Sequence, residues 1–122
     1  MRVNWAQFYL DQYTDAEFVA QMDSDTVLHT WVDEEFLFDS EGRPRVTGWT
    51  HRKTSEAALW AFGLPQDIDF MAGQPMLLRR KHFEATRHWI IDKMQATDFD
   101  DAIRKATYAV MSNSTPNEAS WH

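Results

Sequence analysis

The stretch Phe18-Val19-Ala20-Gln21-Met22-Asp23-Ser24-Asp25-Thr26-Val27-Leu28 decides how the rest of the chain is interpreted. It begins as a mostly apolar, partly β-branched run, typical of a buried strand, and the run stops at two aspartates separated by one residue. In open α/β sheets ligands bind outside the carboxyl ends of the strands, so acids at such an end lie in a crevice. If the backbone stays extended, Asp23 and Asp25 point the same way and repel unless a cation lies between them. The pattern therefore predicts a divalent metal site, although acidic pairs more commonly cap turns or face water.

The segment Phe18–Leu28 resembles the Asp-x-Asp region of GT-A glycosyltransferases, in which a strand delivers two aspartates to a Mn²⁺ or Mg²⁺ that carries a nucleotide-sugar diphosphate. A later segment, Phe70–Leu78, resembles the strand that passes the acceptor site in such enzymes. The resemblance implies an α/β fold, namely a partial GT-A (Rossmann-like) nucleotide-diphospho-sugar transferase core with a mixed sheet flanked by helices. It extends over residues 3–120, and only the Asp-x-Asp segment is specific.

The resemblance also implies roles for individual residues. Asp25 is expected to be the direct metal ligand, with Asp23 reaching the ribose, or reaching the metal through water. Trp49 is a candidate for stacking on a sugar ring, although core packing is the commoner role of a large aromatic side chain. Gly73 and Gln74 are expected to bind substrate, because Gly73 interrupts an apolar strand where a sheet can open to an acceptor.

Glu118 is the predicted catalytic residue. Some GT-A enzymes place an acid late in the fold, where it orients the acceptor hydroxyl or takes its proton as a general base. The chain, residues 1–122, is expected to be a single domain formed by the middle and C-terminal part of a longer catalytic domain, because no strand and Gly-rich turn precede its first helix. Since that missing unit would hold the nucleotide base and ribose, the isolated chain is expected to lack transferase activity.

Two alternatives remain open at this point. Haloacid-dehalogenase-like phosphatases also end an apolar strand with Asp-x-Asp, and in this alternative Asp23 would be the nucleophile. Their pair is usually followed by Gly-Thr, whereas Thr26-Val27 follows here, and their later acidic pair ends a strand, whereas Asp100-Asp101 opens a helical pattern. The other alternative is a non-catalytic α/β interaction module.

Composition restricts the function classes further. The chain has 122 residues, a net charge of −7 and no cysteine. The negative charge argues against nucleic acid as a partner, and the absence of cysteine excludes disulfides and thiolate chemistry. The sequence contains no signal-peptide pattern and no apolar run long enough to span a bilayer. The chain is expected to be soluble as given, either cytoplasmic or a luminal domain of a longer protein.

Periodicity and capping signals predict the remaining elements. Aromatic residues at helical spacing predict an N-terminal helix that packs in the core through Trp5, Phe8, Tyr9 and Tyr13. Three cationic residues, Arg79, Arg80 and Lys81, must precede a later helix or be held at its start by an anion, because cations are unfavourable at a helix N-terminus. The other predicted elements are a strand over Arg45–Thr50 and helices over Thr54–Leu64, Arg79–Met94 and Asp98–Met111.

Overall fold

A computed structural model of the chain describes residues 2–48, 60–64 and 73–113. Its elements are α1 (Arg2–Gln7), a 3₁₀ helix (Leu10–Gln12), β1 (Phe18–Gln21), α2 (Glu34–Leu37), β2 (Met76–Arg79), α3 (Lys81–Lys93) and α4 (Phe99–Asn113). The chain is a small mixed α/β protein with a two-stranded antiparallel sheet, which confirms the expected α/β class at this level. No helix in the described ranges has the length and apolar character needed to cross a membrane.

The chain divides into two compact units. The first unit comprises Met1–Trp49 and Phe70–Ala85, and the second comprises Thr50–Asp69 and Thr86–His122. The sheet, α1, α2 and the start of α3 lie in the first unit, whereas α4 and the rest of α3 lie in the second.

The two strands pair in antiparallel register, from Phe18 opposite Arg79 to Gln21 opposite Met76. The strand expected at the start of the Asp-x-Asp stretch is present, but it is half-buried and not buried, and Ala20 is exposed. Only Leu77 of the two strands is buried. The described sheet has only two strands, and so small a sheet buries its apolar side chains only in part. This explains why β1 is half-buried where a buried strand was expected.

The N-terminal segment is helical in two pieces. After α1 the chain turns into the 3₁₀ helix, and the rings of Trp5 and Tyr9 lie with centroids 4.5 Å apart. Tyr13 is 77 % exposed, so the prediction that it packs in the core is wrong. A 3₁₀ helix has three residues per turn, and this change of period removes Tyr13 from the face predicted for an uninterrupted α-helix.

The acidic segment at residues 33–42 folds into α2 and a turn. The Asp33 carboxylate accepts a hydrogen bond from the Phe36 N–H at 2.9 Å, a typical N-cap. In the turn, the backbone N–H of Arg43 and then its guanidinium hold the pKa of Asp39 below its ordinary value. The glycine between them, Gly42, has a φ of 70°, a conformation that glycine adopts without steric cost.

The strand predicted over Arg45–Thr50 is absent from its described part, residues 45–48. Arg45 instead donates its backbone N–H to the Leu37 carbonyl at 2.9 Å and its Nε–H to the Phe38 carbonyl at 3.0 Å. These bonds hold the segment against the end of α2, so alternation of residue types here reflects a loop and not a sheet ladder.

Helix α3 agrees closely with its prediction. The predicted stripe is buried at Phe83, Arg87 and Ile90, with exposures of 8 %, 9 % and 3 %. The helix ends in a Schellman motif, in which Ala96 donates to the Ile91 carbonyl at 3.0 Å and Gln95 donates to the Asp92 carbonyl at 3.1 Å.

Helix α4 begins at the predicted cap. The Asp98 carboxylate accepts from the Asp101 N–H at 2.8 Å, and the Asp101 carboxylate accepts from the Thr97 N–H at 3.2 Å. The side chain of Lys105, then the Thr97 N–H and Arg104, lower the pKa of Asp101. The buried face of α4 consists of Phe99, Ala102 and Ala106.

The helix predicted over Thr54–Leu64 lies mostly outside the described residues. Its predicted stop is seen at Gly63, which has a φ of 62° and donates its N–H to the Trp60 carbonyl at 2.9 Å. Glycine is favoured at this position because the left-handed region costs it no steric strain.

Candidate functional site

The two aspartates of the Asp-x-Asp stretch lie in a turn that follows β1. The Thr26 N–H donates to the Asp23 carbonyl at 3.1 Å and closes this turn over residues 23–26, which we call the aspartate turn. The backbone is therefore not extended here, contrary to the geometry from which the pairing of the carboxylates was predicted. Both Asp23 and Asp25 are exposed.

One side chain from a distant part of the chain holds the aspartate turn. The amide oxygen of Gln74 accepts from the Asp23 N–H at 2.8 Å and from the Thr26 hydroxyl at 2.5 Å. Its amide nitrogen donates to Oδ2 of Asp23 at 2.5 Å. Gln74 thereby uses both ends of its amide, and the carboxylate and the backbone of Asp23 are fixed together.

The strand register explains how these residues meet. Gln21 lies opposite Met76 at the end of the ladder, so the residues just after β1 lie beside those just before β2. Asp23 and Gln74, two residues beyond that pair on either side, are then within reach of one another. The structure thus brings together two of the residues that the resemblance assigned to substrate binding.

The donor set of the aspartate turn fits a hard cation only in part. Among the described residues, nothing forms a hydrogen bond or ion pair with the Asp25 carboxylate, and Gln74 holds only one oxygen of Asp23. No group of three His, Asp or Glu side chains that could hold a metal is found in the described ranges. Mg²⁺ and similar ions commonly bind one or two carboxylates and complete their shell with waters and phosphates. Among the described residues, the aspartate turn by itself therefore offers at most two carboxylates to a cation.

A cleft of about 520 Å³ lies in the same unit. Gly73 and Gln74 line it, together with apolar side chains and Arg45. A Cβ added to Gly73 would lie 3.7 Å from Cβ of Thr47, an ordinary contact distance, so this glycine is not required by close packing. The remaining lining residues are Glu35, Phe36, Leu37, Val46, Thr47, Pro75, Met76 and Leu77.

The basic residues before α3 are held by protein groups. Arg79 ends β2 and pairs with Glu17 at 3.6 Å, and Arg80 donates its Nε–H to the Ala16 carbonyl at 3.1 Å. Both arginines precede the helix, which was one of the two arrangements predicted, whereas Lys81 is the first residue of the helix. An anion is not needed to hold them there.

Two predicted site residues, Trp49 and Glu118, lie outside the described residues. Two polar residues were missed, namely Thr26 at the aspartate turn and Arg45 at the cleft. Thr26 was considered only as a departure from a phosphatase motif. The hydroxyl of Thr26, three residues after Asp23, was the available signal, because Asp and Thr side chains frequently bond within turns.

Comparisons with protein-family models, with curated proteins and with solved structures gave no match to this chain, so the geometry of the aspartate turn and its cleft is the basis for a functional assignment.

Proposed function

We propose that this chain contributes the metal and diphosphate site of a glycosyltransferase, an enzyme that moves a sugar from a nucleotide-sugar donor to an acceptor. The observation that carries the proposal is the set of hydrogen bonds from Gln74 to Asp23 and Thr26. These bonds join the two segments for which a donor-side and an acceptor-side role were expected. In the proposed site, the aspartate turn and the cleft beside Gln74 serve the two substrates.

The chemical roles follow from the groups that are present. Asp25, whose carboxylate is exposed, would hold a Mn²⁺ or Mg²⁺ directly, and Asp23, one oxygen of which is bound by Gln74, would reach the ion through water or bind the ribose. The bound cation supplies positive charge that stabilises the leaving diphosphate. In the transfer, the bond from the anomeric carbon to the diphosphate breaks and a bond to the acceptor oxygen forms. Glu118 takes the acceptor proton, and Trp49 stacks on the sugar, in the roles that the resemblance implies.

A GT-A core accounts for these roles on a larger fold. The described part is a two-stranded mixed α/β unit, and the proposal places it in the middle and late parts of a longer nucleotide-diphospho-sugar transferase domain. Under this proposal the nucleotide base is bound elsewhere in the complete domain. The measurable property of the chain itself is then binding of the metal and diphosphate.

A non-catalytic interaction module is the second candidate. The observation that favours it is that Gln74 already occupies one oxygen of Asp23, so the turn also has a purely structural explanation. In that case the aspartate turn is a rigid connection after β1 and binds no metal. A metal titration separates the two candidates.

The decisive experiment titrates the 122-residue chain with Mn²⁺ in the presence and absence of uridine diphosphate and follows free Mn²⁺ by electron paramagnetic resonance. We expect weak binding of Mn²⁺ alone and binding about tenfold tighter with the nucleotide, because the phosphate oxygens complete the shell. Asp25→Asn should weaken the ternary complex about tenfold or more, through loss of a charged ligand. Asp92→Asn, which removes an exposed carboxylate in the second unit, is the matched control and should change nothing.

Other outcomes point to other functions. Equal Mn²⁺ affinity for the native chain and Asp25→Asn would reject the metal site and favour the interaction module. Hydrolysis of p-nitrophenyl phosphate that is lost in Asp23→Asn would instead support the phosphatase alternative, in which Asp23 is the nucleophile.

A further inference from the structure

The segment between the aspartate turn and α2 exposes large apolar side chains. Val27 is 79 % exposed, Leu28 is 50 % exposed and Trp31 is 86 % exposed. These three residues, here called the apolar loop, lie in a stretch without helix or strand. Single exposed apolar residues are ordinary, but several within one short segment, including a tryptophan, are typical of binding surfaces.

The charge around the apolar loop is of one sign. Residues 3–42 contain no lysine and no arginine. Acidic residues lie on both sides of the loop, at Asp23 and Asp25 before it and at residues 33–35 after it. In the part of the chain that the structure describes, Glu34 and Glu35 form no ion pair and are exposed, and the next arginine along the chain, Arg43, pairs with acids of its own turn.

A surface of this kind selects its partner by charge as well as by apolar contact. Polyanions such as nucleic acids and anionic membranes are repelled by the acids that surround the loop. A positively charged segment is attracted, and apolar side chains within it can cover the exposed tryptophan. A tryptophan removes about 150–250 Å² from water when it is covered, which makes it a common anchor of interfaces.

We propose that the apolar loop is a docking surface for a cationic, partly apolar segment of a partner protein. Trp31 is the central anchor, Val27 and Leu28 extend the apolar contact, and the exposed carboxylates of Glu34 and Glu35, which follow the loop, pair with lysines or arginines of the partner. The proposal is independent of the proposed glycosyltransferase activity, because none of the three side chains is a metal or substrate residue in it.

The test uses fluorescein-labelled peptides of about ten residues, a length sufficient for a recognition segment. One peptide alternates lysine and leucine, the second alternates lysine and serine, and the third alternates glutamate and leucine. By fluorescence anisotropy with the complete chain, we expect the lysine–leucine peptide to bind about tenfold more tightly than either of the others, because it alone matches both charge and apolar character.

Two variants locate the binding surface. Trp31→Ser should weaken binding of the lysine–leucine peptide about fivefold or more, whereas Tyr108→Ser, which removes a 74 % exposed aromatic in the second unit, should leave it within about twofold. Circular dichroism checks that both variants fold. If Trp31→Ser does not fold, Leu28→Ser takes its place. In a separate measurement, the affinity of the native chain for the lysine–leucine peptide should fall as NaCl is raised from about 50 mM to about 500 mM, because salt screens the charges.

Three results would overturn the proposal. The lysine–serine peptide binding as tightly as the lysine–leucine peptide would show that charge alone acts. An unchanged affinity in both Trp31→Ser and Leu28→Ser would place binding elsewhere. Sedimentation velocity that shows a dimer of the native chain, dispersed by Trp31→Ser, would show that a second copy of the chain covers the loop.

Discussion

Two regions of this protein are stabilised in different ways. The strand-and-loop region comprises residues 18–48 and 73–79, and the helical region comprises α3 and α4. Among the described residues, the helices α3 and α4 supply most of the buried apolar side chains, namely Phe83, Ile90, Phe99, Ala102 and Ala106, whereas the sheet supplies Leu77. The aspartate turn that follows β1 is held instead by polar contacts with Gln74. Apolar burial contributes more free energy than exposed hydrogen bonds, so we expect the helices to determine stability.

The comparison indicates where function is to be expected. Binding surfaces and mobile elements are drawn from regions with few buried apolar contacts, and the exposed Asp25, Trp31 and the cleft all lie in the strand-and-loop region. Substitutions in the helices should therefore change stability, whereas substitutions in the aspartate turn should change local order and binding.

The largest effect is expected in the helical core. Phe99→Ala should lower the free energy of unfolding by about 3–5 kcal/mol, since it removes a 4 % exposed ring and leaves a cavity. Urea unfolding followed by circular dichroism measures the change, and Phe99→Leu serves if the alanine variant is unfolded. Tyr108→Ala on the same helix is exposed and should stay within about 0.5 kcal/mol of the native chain. A loss below about 1 kcal/mol in Phe99→Ala would contradict the assignment of the core to α4.

A smaller effect is expected in the aspartate turn. Gln74→Met keeps a side chain of similar length but removes the three hydrogen bonds to Asp23 and Thr26. Because these groups are exposed and water replaces the lost partner, we expect unfolding to become easier by only about 1 kcal/mol. Hydrogen exchange at the Asp23 amide should nevertheless be about fivefold faster. Gln7→Met is the control, and unchanged exchange at Asp23 in Gln74→Met would show that the amide contacts do not hold the turn.

The end of α3 offers a stabilising substitution of similar or smaller size. Gln95 has a φ of 49° at the position of the Schellman motif where glycine is usual. Gln95→Gly removes the cost of the left-handed conformation and should raise the free energy of unfolding by about 0.5–1 kcal/mol. Thermal unfolding measures this gain, with Gln95→Ala as the comparison that keeps the steric cost. A lower melting temperature for Gln95→Gly than for Gln95→Ala would contradict the assigned backbone conformation.

The smallest effect is a pH dependence at the start of α4. The pKa of Asp101 is lowered by Lys105, Thr97 and Arg104, so its ionised form stabilises the folded state. This contribution is complete above the pKa of the unfolded chain and is lost as the pH falls through the lower pKa of the folded protein. As the pH is lowered from neutral to below the pKa of Asp101 in the folded protein, the free energy of unfolding should therefore fall less for Asp101→Asn than for the native chain. Denaturant unfolding across this range measures the difference, and parallel curves would show that Asp101 does not titrate differently in the folded protein.

Local chemistry in the sequence predicted much of the helical region correctly. The Asp98 cap, the glycine stop at Gly63 and the stripe through Phe83, Arg87 and Ile90 follow from interactions within a few residues of each other. Such interactions are visible in the order of the residues. The break in the N-terminal helix was missed because a change from α to 3₁₀ period leaves little trace in composition.

The candidate site was predictable in its residues but not in its arrangement. The acidic pair and the interrupted apolar run pointed to the two segments, but the turn was not predicted, because the pair was expected on an extended backbone. The contact between them depends on the antiparallel register of two strands that are far apart in the chain, and no local pattern encodes that register. The exposure of Trp31 was also unpredicted, because a tryptophan is more often covered than not.

The pairing of β1 with β2 has a consequence for how the protein is assembled. The ladder brings Gln21 beside Met76, so the whole chain between them must close as a loop before Gln74 can bind the aspartate turn. Closing a long loop costs conformational entropy before any contact repays it, whereas the backbone hydrogen bonds within α3 and within α4 join residues only four apart. We expect the helices to acquire protection early in refolding and the aspartate turn to acquire it last. Pulsed hydrogen exchange that found the Asp23 amide protected before the amides of α4 would reverse this order.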